Sequence, residues 1–209
     1  MFLIEIAHPA GAFGDDERSL LADRILEPLL GAGHAPEETM MRAALATHVA
    51  FRELEGWRTG GGPPAPGAAP PVIVTVTVPE EWREDGGARH FIGIVRAAVR
   101  RLDRERGWER DLGSLWVRVD GVPDGCIGLD GKPATAADVL DFLTEVYRAS
   151  VTEGRAPEIP DGKLLDPTCG MVVTDGPDAI VLEHDGVRVG FCARGCREAY
   201  AREHRLTVR

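Results

Sequence analysis

No apolar run in this 209-residue chain approaches the roughly 20 residues that cross a bilayer. The N-terminus, Met1-Phe2-Leu3-Ile4-Glu5-Ile6, lacks a basic region followed by a long apolar core. It reads as the first strand of a fold and not as a signal peptide. These absences set the expectation of a cytoplasmic protein with no membrane partner. Positive charge is also short: 24 Lys and Arg stand against 34 Asp and Glu, a formal net charge of −10. Such a chain repels phosphate backbones, so no nucleic-acid partner is expected. The one basic run, Arg96 to Arg110, is interleaved with Asp103, Glu105 and Glu109. It reads as a solvated helix face carrying i,i+4 ion pairs. Gly60-Gly61-Gly62 lacks the Lys-Ser/Thr of a phosphate loop, and no Ser-His-Asp or metalloprotease pattern occurs. Cysteine is scarce, with four residues, yet three of them fall within 28 residues, Cys169 to Cys196. In a reducing compartment such clustering points to metal or redox chemistry and not to disulfides. Cys126 stands apart in a glycine-rich turn and reads as a packed small residue.

Hydrophobic residues make up 44% of the chain and charged residues 28%, a balance that suits a folded protein. Residues 1–148 alternate strand and helix. Phe2 to Ala7 reads as a strand, Asp16 to Leu30 as a helix with Leu21, Ile25 and Leu29 at four-residue spacing, and Ala44 to Leu54 as a second strand. After the Pro- and Gly-rich stretch 63–71 the pattern starts again. Val72 to Val78 is a β-branched strand, Gly87 to Arg106 a helix with Phe91, Val95, Ala98, Val99 and Leu102 on one face, and Leu115 to Val119 a fourth strand. A last helix spans Thr135 to Tyr147. The two halves, 1–62 and 72–148, read as an internal duplication. Two β-α-β units predict an α+β domain with a four-stranded sheet and two helices on one face. Oligomerisation is the simplest way to cover the sheet's other face.

Two stretches, Arg52 to Gly61 and Val119 to Gly128, resemble the strand-plus-glycine turn that ends each repeat of the tautomerase superfamily (macrophage migration inhibitory factor-like). The resemblance spans 1–148 and implies a homotrimer. That family's catalyst is an N-terminal proline. Here the chain begins Met1-Phe2, and Pro71, just before the second repeat, has an amide nitrogen that cannot abstract a proton. The expectation is a tautomerase-like scaffold without the family's catalyst. The alternative is an isomerase- or tautomerase-related or metal-dependent enzyme acting on a small oxo-acid-like anion, through the metal or a pocket at the subunit interface near Met1, Arg52 and Arg118. His8 and His48 read as core or edge strand histidines, and His90 as a surface residue at a helix start.

Residues 149–163 are polar, with Pro and Gly, and read as a linker. In the remaining unit, 164–209, Cys169 lies on a turn and Cys192 and Cys196 are spaced for a turn leading into a helix. A hairpin around His184-Asp185-Gly186, within Ile180 to Val189, can return the chain from Cys169 to Cys192. A helix N-terminus favours thiolates, and a metal stabilises a module with little core. Leu165-Asp166-Pro167-Thr168-Cys169-Gly170-Met171 and Phe191-Cys192-Ala193-Arg194-Gly195-Cys196 are similar to the opening and closing motifs of YHS domains. The resemblance covers about 164–205 and implies a small treble-clef-like metal-binding module. Three thiolates and one further ligand suit zinc, with copper as the alternative. His184 is the expected fourth ligand, with His204, Asp166, water and a ligand from another subunit left open. The function expected from the whole chain is metal binding on a tautomerase-like trimeric scaffold.

Overall fold

In the computed structural model, which describes residues 2–31, 35–84, 86–153 and 159–208, the chain opens with β1 (Phe2–Pro9), α1 (Asp15–Leu30), α2 (Glu37–Leu45) and β2 (Thr47–Leu54). Next come β3 (Val72–Pro79), a 3-10 turn over Glu80–Arg83, α3 (Gly87–Arg106) and β4 (Leu115–Val122). A short hairpin of β5 (Ile127–Leu129) and β6 (Lys132–Ala134) leads into α4 (Ala136–Thr152). The tail carries β7 (Lys163–Leu165), β8 (Val172–Thr174), β9 (Ile180–His184), β10 (Val187–Phe191) and α5 (Arg194–Glu203).

The alternation of β1 and β3 decides the main sheet. Ile4, Ile6, Val72, Val74, Val76 and Val78 are almost wholly buried, while their neighbours in sequence face the other way. Each such side chain contributes on the order of 2 kcal/mol by leaving water. The strand order is β2-β1-β3-β4, with β1 parallel to β2, antiparallel to β3, and β3 parallel to β4. Helices α1 and α3 pack on the buried face through Leu21, Ile25, Phe91, Val95, Val99 and Leu102. The opposite face is open: Leu3, Ile73 and Trp116 are 37%, 41% and 67% exposed.

Three features depart from the sequence reading. Helix α2 was not expected, and the second strand begins at Thr47 and not at Ala44. Met40, Ala43 and Ala46 form a second small core with Ile127, Ala134, Val139 and Leu143, so burial against α4 favours helix there. The Thr47 hydroxyl donates to the Ala43 carbonyl at 2.7 Å and closes that helix. The β5–β6 hairpin fills the same small core. Finally, α4 continues to Thr152, into the span expected as linker, after a Thr135–Asp138 capping box at its start. Residues 154–158 of that span lie outside the described residues.

The basic run behaves as a helix face: Arg101 pairs with Glu105 at 3.5 Å and Arg106 with Glu17 at 2.5 Å. Arg110 differs. Its guanidinium makes a two-pronged 2.7 Å pair with buried Asp103 and donates to the Pro70 carbonyl at 2.5 Å.

Candidate metal centre

Asp166 lies between β7 and β8, on a loop that turns sharply. The Asp166 N–H donates to the Met171 carbonyl at 2.9 Å, and the Gly170 N–H returns to the Asp166 carbonyl at 2.8 Å. Gly170 takes φ +78°, and a Cβ there would meet Pro36 Cγ at 2.3 Å and Tyr147 Cε2 at 2.7 Å. Glycine therefore serves both the backbone turn and the approach of this loop to α2 and α4. The second arm comes from the β9–β10 hairpin, whose two-residue turn puts Asp185 and Gly186 at φ 51° and 75°. Gly190 lets β10 lie against β7, since its Cβ would meet Leu164 Cβ at 2.5 Å. Cys192 follows directly, and Cys196 sits in the first turn of α5.

These arms bring four donors together. One oxygen or sulfur atom from each of Asp166, Cys169, Cys192 and Cys196 lies within 4.8 Å of all the others. The Cys169–Cys192 and Cys192–Cys196 Sγ separations are both 3.6 Å. That is far beyond a covalent S–S bond of about 2.05 Å. It is close to the roughly 3.8 Å that two sulfurs take when each is about 2.3 Å from one tetrahedral zinc ion. Donor type and spacing therefore fit a metal ion, and the group could hold one.

Asp166 is fully buried. Its carboxylate accepts from the N–H groups of Thr168 at 2.9 Å, Cys169 at 3.4 Å and Cys192 at 2.9 Å, so it ties both cysteine arms together. The Thr168 hydroxyl adds a bond to the Cys196 carbonyl at 3.0 Å. Burial first, and then the negative charge of Cys192, push the Asp166 carboxyl up to about 7. The Cys192 thiol is held well below its ordinary range because Cys169 and then Cys196 direct their S–H groups at it. The contact with Cys192 holds Cys169 up, and contacts with Cys169 and then Cys192 hold Cys196 up.

The three expected thiol ligands are thus brought together, and His184 is not. Its Nδ1 lies 2.7 Å from the Tyr200 hydroxyl, and its ring centroid is 4.8 Å from that of His204. The oxygen of the group comes from Asp166 instead. The signal for this was present in Asp166-Pro167-Thr168-Cys169, because an aspartate before a turn commonly accepts from N–H groups two and three residues on. Cys126 is free and exposed, away from the cluster. His8 is buried, with Nδ1 2.9 Å from the Pro9 carbonyl oxygen and Nε2 without a partner, while His48 and His90 are exposed.

Of the residues expected to line a pocket at the subunit interface, Arg52 and Arg118 fall on the open face of the sheet. Arg52 and Arg118 stand on β2 and β4, the two outer strands of the sheet. Each has an acidic neighbour on the open face, Glu5 at 4.0 Å and Asp120 at 3.0 Å. Met1 lies outside the described residues.

The molecule is therefore an α+β protein in which a mixed four-stranded sheet carries a docked cluster of three thiols and a carboxylate. Its neighbours among solved structures are tautomerase-superfamily proteins. One, described as an R7 fused 4-OT wild-type asymmetric trimer, is 22% identical, with a TM-score of 0.41 over 63% of this chain and 95% of that one. The macrophage migration inhibitory factor of Toxoplasma gondii is 12% identical, with a TM-score of 0.41 over 63% and 98%. A probable enzyme from the thermophilic fungus Aspergillus fumigatus is 20% identical, with a TM-score of 0.49 over 76% and 98%. No protein-family model matches the chain, and no curated protein matches it. Among the described residues no helix is long and apolar enough to cross a membrane.

Proposed function

We propose that this protein binds a metal ion through Cys169, Cys192, Cys196 and Asp166, in a YHS-like module (164–209) carried by a tautomerase-like domain (1–148). The observation that supports this reading is the 3.6 Å spacing of the thiols around a buried carboxylate. A hard oxygen beside three sulfurs favours zinc over copper(I), which prefers thiolates alone. Four protein donors leave no coordination position for a substrate, which favours a structural or sensing role over a catalytic one. The open sheet face, with Ile73 and Trp116 exposed, supports a homotrimer as the scaffold's assembled form. Metal analysis of the full chain, purified without chelator, tests the reading. Stoichiometric zinc that is lost in Cys169→Ser and Cys192→Ser variants is expected, and a fully folded protein free of metal would overturn it.

A further inference from the structure

Tyr147 on α4 is 2% exposed, and its hydroxyl is among the buried polar atoms with no hydrogen-bond partner. Such a hydroxyl is destabilising, and phenylalanine would fill the same space without that penalty. Its ring lies against the metal loop, since a Cβ on Gly170, next to Cys169, would meet Tyr147 Cε2 at 2.7 Å. Burial, and then the negative charges of Cys169, Asp166 and Glu38, push the Tyr147 hydroxyl up to about 12, so it keeps its proton and remains a donor.

The cluster has a use for a donor. Three thiolates and a carboxylate carry more negative charge than a divalent ion cancels, in a place shielded from water. The Asp166 oxygens are already served by backbone N–H groups. The thiols instead contact one another, and a bound ion displaces the protons those contacts share. The sulfurs then gain from a donor added to the tail's own N–H groups.

We infer that Tyr147 is a positioning residue of the metal centre, its buried hydroxyl donating a hydrogen bond to the ligand shell on the Cys169 side when an ion is bound. This rests on the metal-binding reading above. The scaffold then completes the site, and the tail alone forms only part of it.

Cobalt(II) titration of the full chain tests this, read by the thiolate-to-cobalt charge-transfer band. Tyr147→Phe is expected to weaken cobalt binding by about 10- to 100-fold, the usual effect of removing an outer partner of a metal ligand, and to shift the band. Without metal, the same variant is expected to melt no lower than wild type, which a purely structural role would not produce. Tyr200→Phe, which breaks the bond to His184, leaves both affinity and band unchanged. Equal affinity and an unmoved band in Tyr147→Phe would overturn the role of the hydroxyl while leaving the metal reading intact. A wild-type protein that develops no charge-transfer band would overturn the metal reading itself.

Discussion

The Thr39 hydroxyl donates to the Cys169 carbonyl at 3.1 Å, across a sequence separation of 130 residues, and both groups are buried. The bond joins α2 of the first unit to the turn that carries a thiol of the last. Together with Gly170 wedged between Pro36 and Tyr147, it makes the Cys169 loop part of the α2–α4 layer. Thr39→Val is expected to cost about 1–2 kcal/mol, because the Cys169 carbonyl loses its buried partner. Urea denaturation with the metal present would measure it.

Gly170→Ala is expected to do more. The added Cβ meets Pro36 and Tyr147 well inside contact distance, and the residue must hold φ +78°. Strain and overpacking together come to about 3 kcal/mol. The variant should also release metal at lower chelator concentration, read by competition with a chromogenic chelator. Unchanged stability and retention would mean that the loop does not rest on α2 and α4.

Arg110→Ala strands Asp103, which is 6% exposed, without its cation. A loss of about 3–5 kcal/mol is expected, as for other broken buried pairs. The surface pair Arg101–Glu105 offers a control, expected to cost less than about 1 kcal/mol on Arg101→Ala. Thermal melts of both variants would show the contrast.

The pH response of the chelator-treated protein follows from Asp166, whose carboxyl rises from 3.8 to about 7 on folding. A carboxyl raised in the folded state stabilises the fold while protonated. That stability is full below about pH 4 and is lost as pH climbs through about 7. The Asp166 share should therefore lower the urea midpoint of the metal-free protein at about pH 8 relative to about pH 5, against an opposite contribution from the low Cys192 thiol, and Asp166→Asn should remove that share. Loading with zinc should reverse the trend, because the ion binds the deprotonated ligands.

Trp116→Glu on the open sheet face tests the proposed assembly. The wild-type chain is expected to sediment as a trimer, and the variant as a monomer that retains its metal. A monomeric wild-type protein would leave that face without a partner in solution.

Much of this molecule is written in local pattern. The α3 face of Phe91, Val95, Ala98, Val99 and Leu102 is buried as its spacing indicates. The β-branched run at Val72 forms a central strand, and the hairpin turn at Asp185-Gly186 brings the tail back on itself. Helix α2 was hidden because Glu37–Leu45 has only nine residues, and its helical state depends on burial against α4, far away in sequence. The place of Asp166 in the cluster was only partly legible, through Asp166-Pro167-Thr168-Cys169, for a similar reason. His184 is the more familiar zinc ligand, but its ring is engaged by Tyr200, a partner that only the packing of α5 on β9 reveals. Asp166 gains its place through N–H groups from both cysteine arms, and that convergence exists only in three dimensions.

The four donors do not share the surface equally. Cys169 and Cys196 are 4% and 3% exposed and Asp166 not at all, whereas Cys192 keeps part of its surface in solvent. A reagent arriving from solvent therefore meets Cys192 before the other members of the cluster, and an alkylating agent should label it ahead of Cys169 and Cys196.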